Sequence, residues 1–154
     1  MALQIGDKVP DLLGNDQNGQ PFLRSQQREN KWIIYFYPKD NTPGCTAEAC
    51  SFRDEYQELK QMGYGIVGVS GDSQKSHQKF IHSKLLPFTL IADEEHQLAQ
   101  LFGVWGEKKM MGKTYMGILR TTFVTNEKGE ITHIIPPKQI QTSRHAQQLK
   151  ELLG

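Results

Sequence analysis

The order of apolar runs in this chain predicts an α/β fold, and three observations carry that prediction. An unbroken apolar, β-branched and aromatic run, Trp32-Ile33-Ile34-Tyr35-Phe36-Tyr37, has about the length of a buried strand. A helical stripe follows it directly, and short apolar runs then alternate with amphipathic segments as far as residue 101. A two-strand pattern about a turn and a closing helix complete the chain.

Each element has a local reason. Pro38 ends the first strand. Thr42 precedes a proline, which pushes its backbone out of the α region, and Pro43 suits the first helical position. Thr42 is therefore the expected N-cap and Cys45 the third helical residue. Ala49, Phe52, Tyr56 and Leu59 continue from Cys45 at spacings of four, three, four and three, which makes one apolar stripe; Gly63 stands where a left-handed cap is expected. Residues 66–70 read as a strand, and Ser73 caps a polar helix running to about Lys84. Residues 88–91 read as another strand and 94–101 as another helix. Residues 103–117, rich in lysine and glycine around Trp105, read as a long loop. Residues 120–124 and 130–135 form a predicted hairpin around Asn126-Glu127-Lys128-Gly129, a turn sequence. The last helix starts near Ser143 and turns Leu149, Leu152 and Leu153 toward the core. There is no internal repeat, linker or low-complexity stretch, so one domain over residues 1–154 is expected. A thioredoxin-like fold, a central mixed β-sheet flanked by helices, fits this order.

Composition narrows the function classes. Eighteen basic and seventeen acidic residues leave a formal charge of +1, which argues against general nucleic-acid or membrane affinity. The N-terminus lacks a charged n-region and an apolar h-region, and no span has the length and apolarity to cross a bilayer; a cytoplasmic protein is expected. Two cysteines are too few for a disulfide scaffold, and in a reducing compartment they read as catalytic.

Both cysteines fall in Pro38-Lys39-Asp40-Asn41-Thr42-Pro43-Gly44-Cys45-Thr46-Ala47-Glu48-Ala49-Cys50. In the first turn of a helix, Cys45 meets backbone N–H groups without intrahelical partners and the positive end of the helix dipole. Both favour the thiolate, which is the nucleophilic form. The plainer alternative, an ordinary small core residue, is common for free cysteine, but the Thr-Pro-Gly lead-in weighs against it. Cys50 lies five residues on, which on a helix is about 140° of rotation and about 7.5 Å of rise. The two Cα atoms would then be roughly 8.7 Å apart, beyond the approximately 7 Å that a disulfide spans. If the pair bridges, the first turns of the helix must unwind; otherwise Cys50 is a buried residue beside the stripe.

This segment resembles the peroxiredoxins, and specifically their Q type, the bacterioferritin-comigratory proteins. Pro38, Thr42 and Cys45 match the general signature, and Cys50 matches the second cysteine of the Q type. Phe102-Gly103-Val104-Trp105-Gly106-Glu107-Lys108-Lys109 and Tyr115-Met116-Gly117-Ile118-Leu119-Arg120-Thr121-Thr122-Phe123-Val124 are similar to the same subfamily, and the likeness runs from about residue 5 to about residue 135. It implies a thioredoxin-like fold and a thiol peroxidase of hydrogen peroxide and organic hydroperoxides. Cys45 matches the peroxidatic cysteine, Thr42 the hydroxyl that orients the peroxide, Pro38 the shield of the pocket and Arg120 the arginine that meets it from another strand. Thr42, the N–H groups around Gly44 and Cys45, and Arg120 would stabilise charge on the departing oxygen. The resemblance also implies that Cys50 resolves the Cys45 sulfenic acid as an intramolecular disulfide, reduced in turn by thioredoxin or a similar dithiol. No cofactor and no metal are implied. Glu48, one turn from Cys45, either supports Arg120 or complements the helix dipole. After residue 135 the chain departs from the pattern at Pro136-Pro137-Lys138-Gln139-Ile140, which bears on its oligomeric state, expected to be monomer or weak dimer.

Three other patterns carry less. Gly63-Tyr64-Gly65-Ile66-Val67-Gly68 matches GxGxxG but runs from a helix into a strand, the reverse of a dinucleotide fingerprint. His77, His82, His96, His133 and His145 show no metal-ligand spacing with the cysteines and read as surface or helix-end residues. Gly68-Val69-Ser70-Gly71-Asp72 has Asp72 where a GxSxG elbow needs glycine. Two further readings of the cysteine pair remain. One is a redox sensor that uses the disulfide as a signal, which consumes about one equivalent of peroxide where a peroxidase consumes many. The other is a general disulfide oxidoreductase, which exchanges with other proteins' disulfides without peroxide.

Overall fold

The computed structural model describes residues 2–154. Strand β1 (Leu12–Asn15) pairs with β2 (Pro21–Leu23), ahead of β3 (Lys31–Phe36). Helices α1 (Pro43–Asp54) and α2 (Tyr56–Gln61) lead to β4 (Tyr64–Ser70), α3 (Gln74–Lys84) and β5 (Thr89–Ala92). Helix α4 (Gln97–Leu101) precedes β6 (Trp105–Met110), β7 (Lys113–Ile118), β8 (Thr121–Thr125), β9 (Ile131–Ile135) and α5 (His145–Leu153).

The central sheet has the order β5-β4-β3-β8-β9. β3, β4 and β5 run parallel, joined by helical crossovers, while β8 and β9 are antiparallel to their neighbours. A parallel βαβ unit joined to an antiparallel hairpin and a closing helix is the thioredoxin-like arrangement that the sequence predicts.

β3 sits at the centre because both of its faces are buried. Ile33 and Tyr35, with Tyr37 just beyond the strand, pack with Ala49, Phe52 and Leu59 of α1 and α2, Phe80 of α3 and Leu149 of α5. Trp32, Ile34 and Phe36 point the other way, onto Leu98 and Phe102 and the N-terminal Val9, Leu13 and Phe22. The period-two alternation of a strand thus divides one apolar run between two core layers. The stripe from Cys45 to Leu59 faces the first layer as predicted.

The glycines of the GxGxxG match serve the fold. Gly63 closes α2 at φ 94°, a left-handed cap. A Cβ on Gly65 would lie 2.4 Å from the Trp32 ring, and one on Gly68 2.9 Å from that of Tyr35, so these two make room for aromatic neighbours on β3.

Several expectations need correction. Residues 103–117 are largely a hairpin, β6 paired with β7 through a two-residue turn. Met111 and Gly112 both have positive φ, 52° and 80°, the primed geometry that suits the twist of a tight hairpin. The ribbon is half-solvated, and its charges and glycines conceal it from a search for apolar runs. The helix after Cys45 is interrupted at Glu55 (φ −104°, ψ 10°), though Glu55 N still donates to Ser51 O and Leu59 N to Glu55 O. α4 begins only at Gln97, after His96 in a left-handed conformation. Leu152 is exposed. His77 and His145 are not surface residues; both are fully buried, because each finds hydrogen-bond partners for its ring nitrogens within the core.

Candidate active site

Cys45 lies in the first turn of α1. Thr42 is the N-cap, with extended φ −87° and ψ 158°, and Pro43 occupies the first helical position. The Thr42 hydroxyl does not cap the helix; Oγ1 donates to the Lys39 carbonyl at 2.9 Å, which holds it on the loop side of the helix mouth. Helical hydrogen bonding begins with Thr46 N to Thr42 O at 2.8 Å, so the Gly44 and Cys45 amides lie ahead of the ladder, at the positive end of the dipole.

Arg120 reaches this turn from just before β8. Its Nη2 donates to Cys45 Sγ at 3.4 Å, and its Nη1 to Glu48 Oε1 at 2.5 Å. A Cβ on Gly44 would stand 3.3 Å from Arg120 Nη2, so the bare backbone there lets the guanidinium pass close over the helix mouth. Cys45 is 1% exposed and Glu48 not at all, while Arg120 keeps a partly solvated edge. Of the two readings of Glu48, support of the arginine is the one the geometry favours. Burial pushes the Glu48 carboxyl up to about 7 against the pull of Arg120. Arg120 is shifted upward: burial works against its charge, and the facing Glu48 and Cys45 outweigh that effect.

Pro38 and Thr42 also line one wall of a groove of about 450 Å³ beside the helix mouth. The opposite wall comes from the β6–β7 hairpin, through Trp105, Met116 and the half-buried Lys108. Lys108 Nζ donates to the Ile118 carbonyl at 3.1 Å, and burial, helped by the Arg120 charge, lowers its pKa. This wall was missed in the sequence, where only the adjacent Met111-Gly112 pair gives a hairpin signal. Cys50 is half-buried further along α1 and, like Cys45, is a free thiol. Both thiols sit in one regular helix, so the spacing argument for unwinding applies to this form of the protein. The structure thus brings together Cys45, Arg120, Glu48 and Gly44, sets Thr42 and Pro38 on the adjoining loop, and leaves Cys50 apart.

A family model described as the AhpC/TSA family matches residues 5–134. Peroxiredoxin Bcp of Bacillus subtilis is 46% identical over 131 residues, covering 85% of this chain and 83% of that protein. Peroxiredoxin Bcp of Escherichia coli is 42% identical over 143 residues, 93% of this chain and 90% of the other. Among solved structures, Xanthomonas campestris peroxiredoxin Q superposes with a TM-score of 0.86 at 33% identity, covering 98% of this chain and 94% of that one. The bacterioferritin comigratory protein of the same organism, described in trapped-intermediate and ligand-complex structures for its alkyl peroxide reduction activity, gives 0.82 at 32% identity over 96% and 97% of the two chains. The chain belongs to the AhpC/TSA family, in its peroxiredoxin Bcp, or Q-type, branch.

Proposed function

We propose that this thiol-dependent peroxidase reduces hydrogen peroxide and organic hydroperoxides through Cys45, with Cys50 as the resolving thiol and thioredoxin or a similar dithiol protein as reductant. The observation that carries the reading is the Arg120 guanidinium, 3.4 Å from a buried Cys45 Sγ and held from behind by Glu48.

The Cys45 thiolate attacks one oxygen of the O–O bond. An S–O bond forms, the O–O bond breaks, and the leaving alkoxide or hydroxide takes a proton, giving Cys45 sulfenic acid and an alcohol or water. Negative charge grows on the departing oxygen. Arg120 and the amides of Gly44 and Cys45 are the donors available beside it, already oriented before the reaction, while the Thr42 hydroxyl, its proton given to the Lys39 carbonyl, can accept from the O–H of the peroxide. Pro38 and the hairpin wall limit water at the mouth, and the alkyl peroxide activity of the Xanthomonas relative supports substrates larger than hydrogen peroxide. The Cys50 thiol then condenses with the sulfenic acid, releasing water and forming the disulfide. The external dithiol reduces that disulfide by thiol–disulfide exchange. Because Cys45 and Cys50 share one helix, condensation requires the first turns of α1 to open. The cycle uses only this chain's thiols and the reductant, works without cofactor or metal, and suits a cytoplasmic single-domain protein acting as a monomer or weak dimer.

Intact mass after one equivalent of hydrogen peroxide tests the reading, with wild type, Cys45→Ser and Cys50→Ser side by side. Loss of two hydrogens in wild type, gain of one oxygen in Cys50→Ser and no change in Cys45→Ser are expected. An unmodified wild type overturns the peroxidase assignment.

A further inference from the structure

Five residues before Cys45, Asp40 is buried at the meeting of three elements. Its Oδ1 accepts from the Tyr37 hydroxyl at 2.5 Å, just beyond β3. Its Oδ2 accepts from the Ser76 hydroxyl at 2.8 Å and pairs with His77 Nδ1 at 2.7 Å, both on α3. Its own N–H donates to Asp72 Oδ2 at 2.8 Å, and Asp72 is fixed in turn by the Ser70 hydroxyl at 2.6 Å, at the end of β4. His77 is fully buried and spans the gap to β5, with Nε2 2.9 Å from the Ile91 carbonyl. Asp40, Asp72 and His77 bring one possible ligand atom each within 4.8 Å of one another. Those groups are already engaged with each other and with their neighbours, so the cluster reads as a closed hydrogen-bond network.

The network lies under the loop that carries Pro38 and Thr42. Beyond it the chain turns through Asn41 at φ 61°, a left-handed position that asparagine adopts readily. We propose that Asp40 and His77 are positioning residues of the peroxide reaction. The pair fixes residues 38–42 to β4, α3 and β5, so that the Pro38 ring and the Thr42 hydroxyl meet a peroxide at Cys45 in one geometry. It also sets a boundary: when α1 opens to let Cys45 reach Cys50, the chain up to Asp40 stays in place and movement begins at Asn41. The inference rests on the functional reading above and extends it to two side chains that touch neither cysteine nor substrate.

The test separates the peroxide step from the disulfide step. In single turnover, sulfenic acid formation is timed in the Cys50→Ser background and disulfide formation with Cys50 present. His77→Gln can still reach Ile91 but leaves Asp40 short of a donor. It is expected to slow sulfenic acid formation about 10–100-fold, as misplaced groups do, and to leave the disulfide step unchanged or faster. His77→Asn returns a donor at the Nδ1 position and is expected to restore the peroxide step to within about threefold of wild type. A merely structural role would lower the melting temperature of both variants without this split and rescue. Hydrogen exchange in the oxidised wild type supplies a second measurement that needs no variant. The Asp40 amide is expected to stay protected while the amides of residues 46–50, the first in the helical ladder, lose protection. Equal rates in both variants and wild type, or exchange that spreads through Asp40, overturn the proposal alone; a wild type that forms no sulfenic acid overturns the functional reading with it.

Discussion

The guanidinium of Arg120 stands 3.4 Å from Cys45 Sγ across 75 residues of sequence. It bridges two side chains of α1, with one terminal nitrogen on the sulfur and the other on Glu48. The planar fork of arginine can hold both at once; the single ammonium of lysine cannot. Arg120→Lys is therefore expected to keep the fold and slow sulfenic acid formation by about 10²–10³, the effect of removing one preorganised donor from a developing charge. Stopped-flow peroxide consumption under single-turnover conditions measures it, and a rate within threefold of wild type would remove Arg120 from the mechanism.

The cysteine spacing makes a prediction of its own. α1 is helical from Pro43 to Asp54, and its far part is tied down where Ser51 Oγ accepts from Ala146 N at 3.0 Å. Forming the Cys45–Cys50 bridge must therefore melt the first turns and leave the rest. Oxidation of wild type is expected to reduce the helical circular dichroism signal, and reduction by a dithiol to restore it. Cys50→Ser should show no such change and no dithiol-driven cycling through an intramolecular disulfide. An unchanged helical signal in fully disulfide-bonded protein would contradict this geometry.

Much of this could be read from the chain, for identifiable reasons. β3 and the stripe of α1 and α2 are visible because burial imposes periods of 2 and 3.6 on apolar residues. The helix mouth is visible because proline and glycine restrict the backbone locally. Arg120 could be placed near Cys45 only by resemblance, since nothing local links residues 75 apart. The Glu48 pairing stayed ambiguous because a buried partner and a dipole-compensating carboxylate look alike one turn into a helix. The β6–β7 hairpin was hidden by its charged, half-exposed strands. The burial of His77 depends on Asp40 and Ile91, neither of which is adjacent to it in sequence.

Glu48 couples stability to pH. Its carboxyl titrates near 4.5 when exposed and is pushed up to about 7 in the folded protein by burial, against the pull of Arg120. Between those values the folded state binds more protons than the unfolded chain, so stability falls as pH rises from about 4.5 to about 7. Glu48→Gln retains an acceptor for Arg120 and carries no titrating group, so this component of the slope should vanish. Urea midpoints measured across the interval for both proteins decide the matter. Identical slopes would mean that Arg120 keeps Glu48 ionised throughout. The same substitution should slow the peroxide step less than Arg120→Lys does, because the guanidinium remains held in place.

His145 acts in the opposite sense. It is buried at the start of α5, with Nδ1 3.0 Å from Gln148 Oε1 and Nε2 2.7 Å from Thr122 Oγ1. Gln148 Oε1 also accepts from Gln141 N, so Nδ1 carries the donated proton and Nε2 is left to accept from the Thr122 hydroxyl. Burial lowers the ring's pKa from 6.5 to about 4, so the neutral form is the one the fold accommodates. Between pH 6.5 and about 4 the unfolded chain binds the extra proton, and stability is lost as pH falls through that window. The full effect is on the order of 3 kcal/mol. His145→Gln, which has no titrating ring, should flatten this acid limb whatever its stability at neutral pH. Thermal melts at half-unit steps from pH 7 to 4 measure the limb, and an equally steep loss in the variant would assign acid sensitivity to other groups.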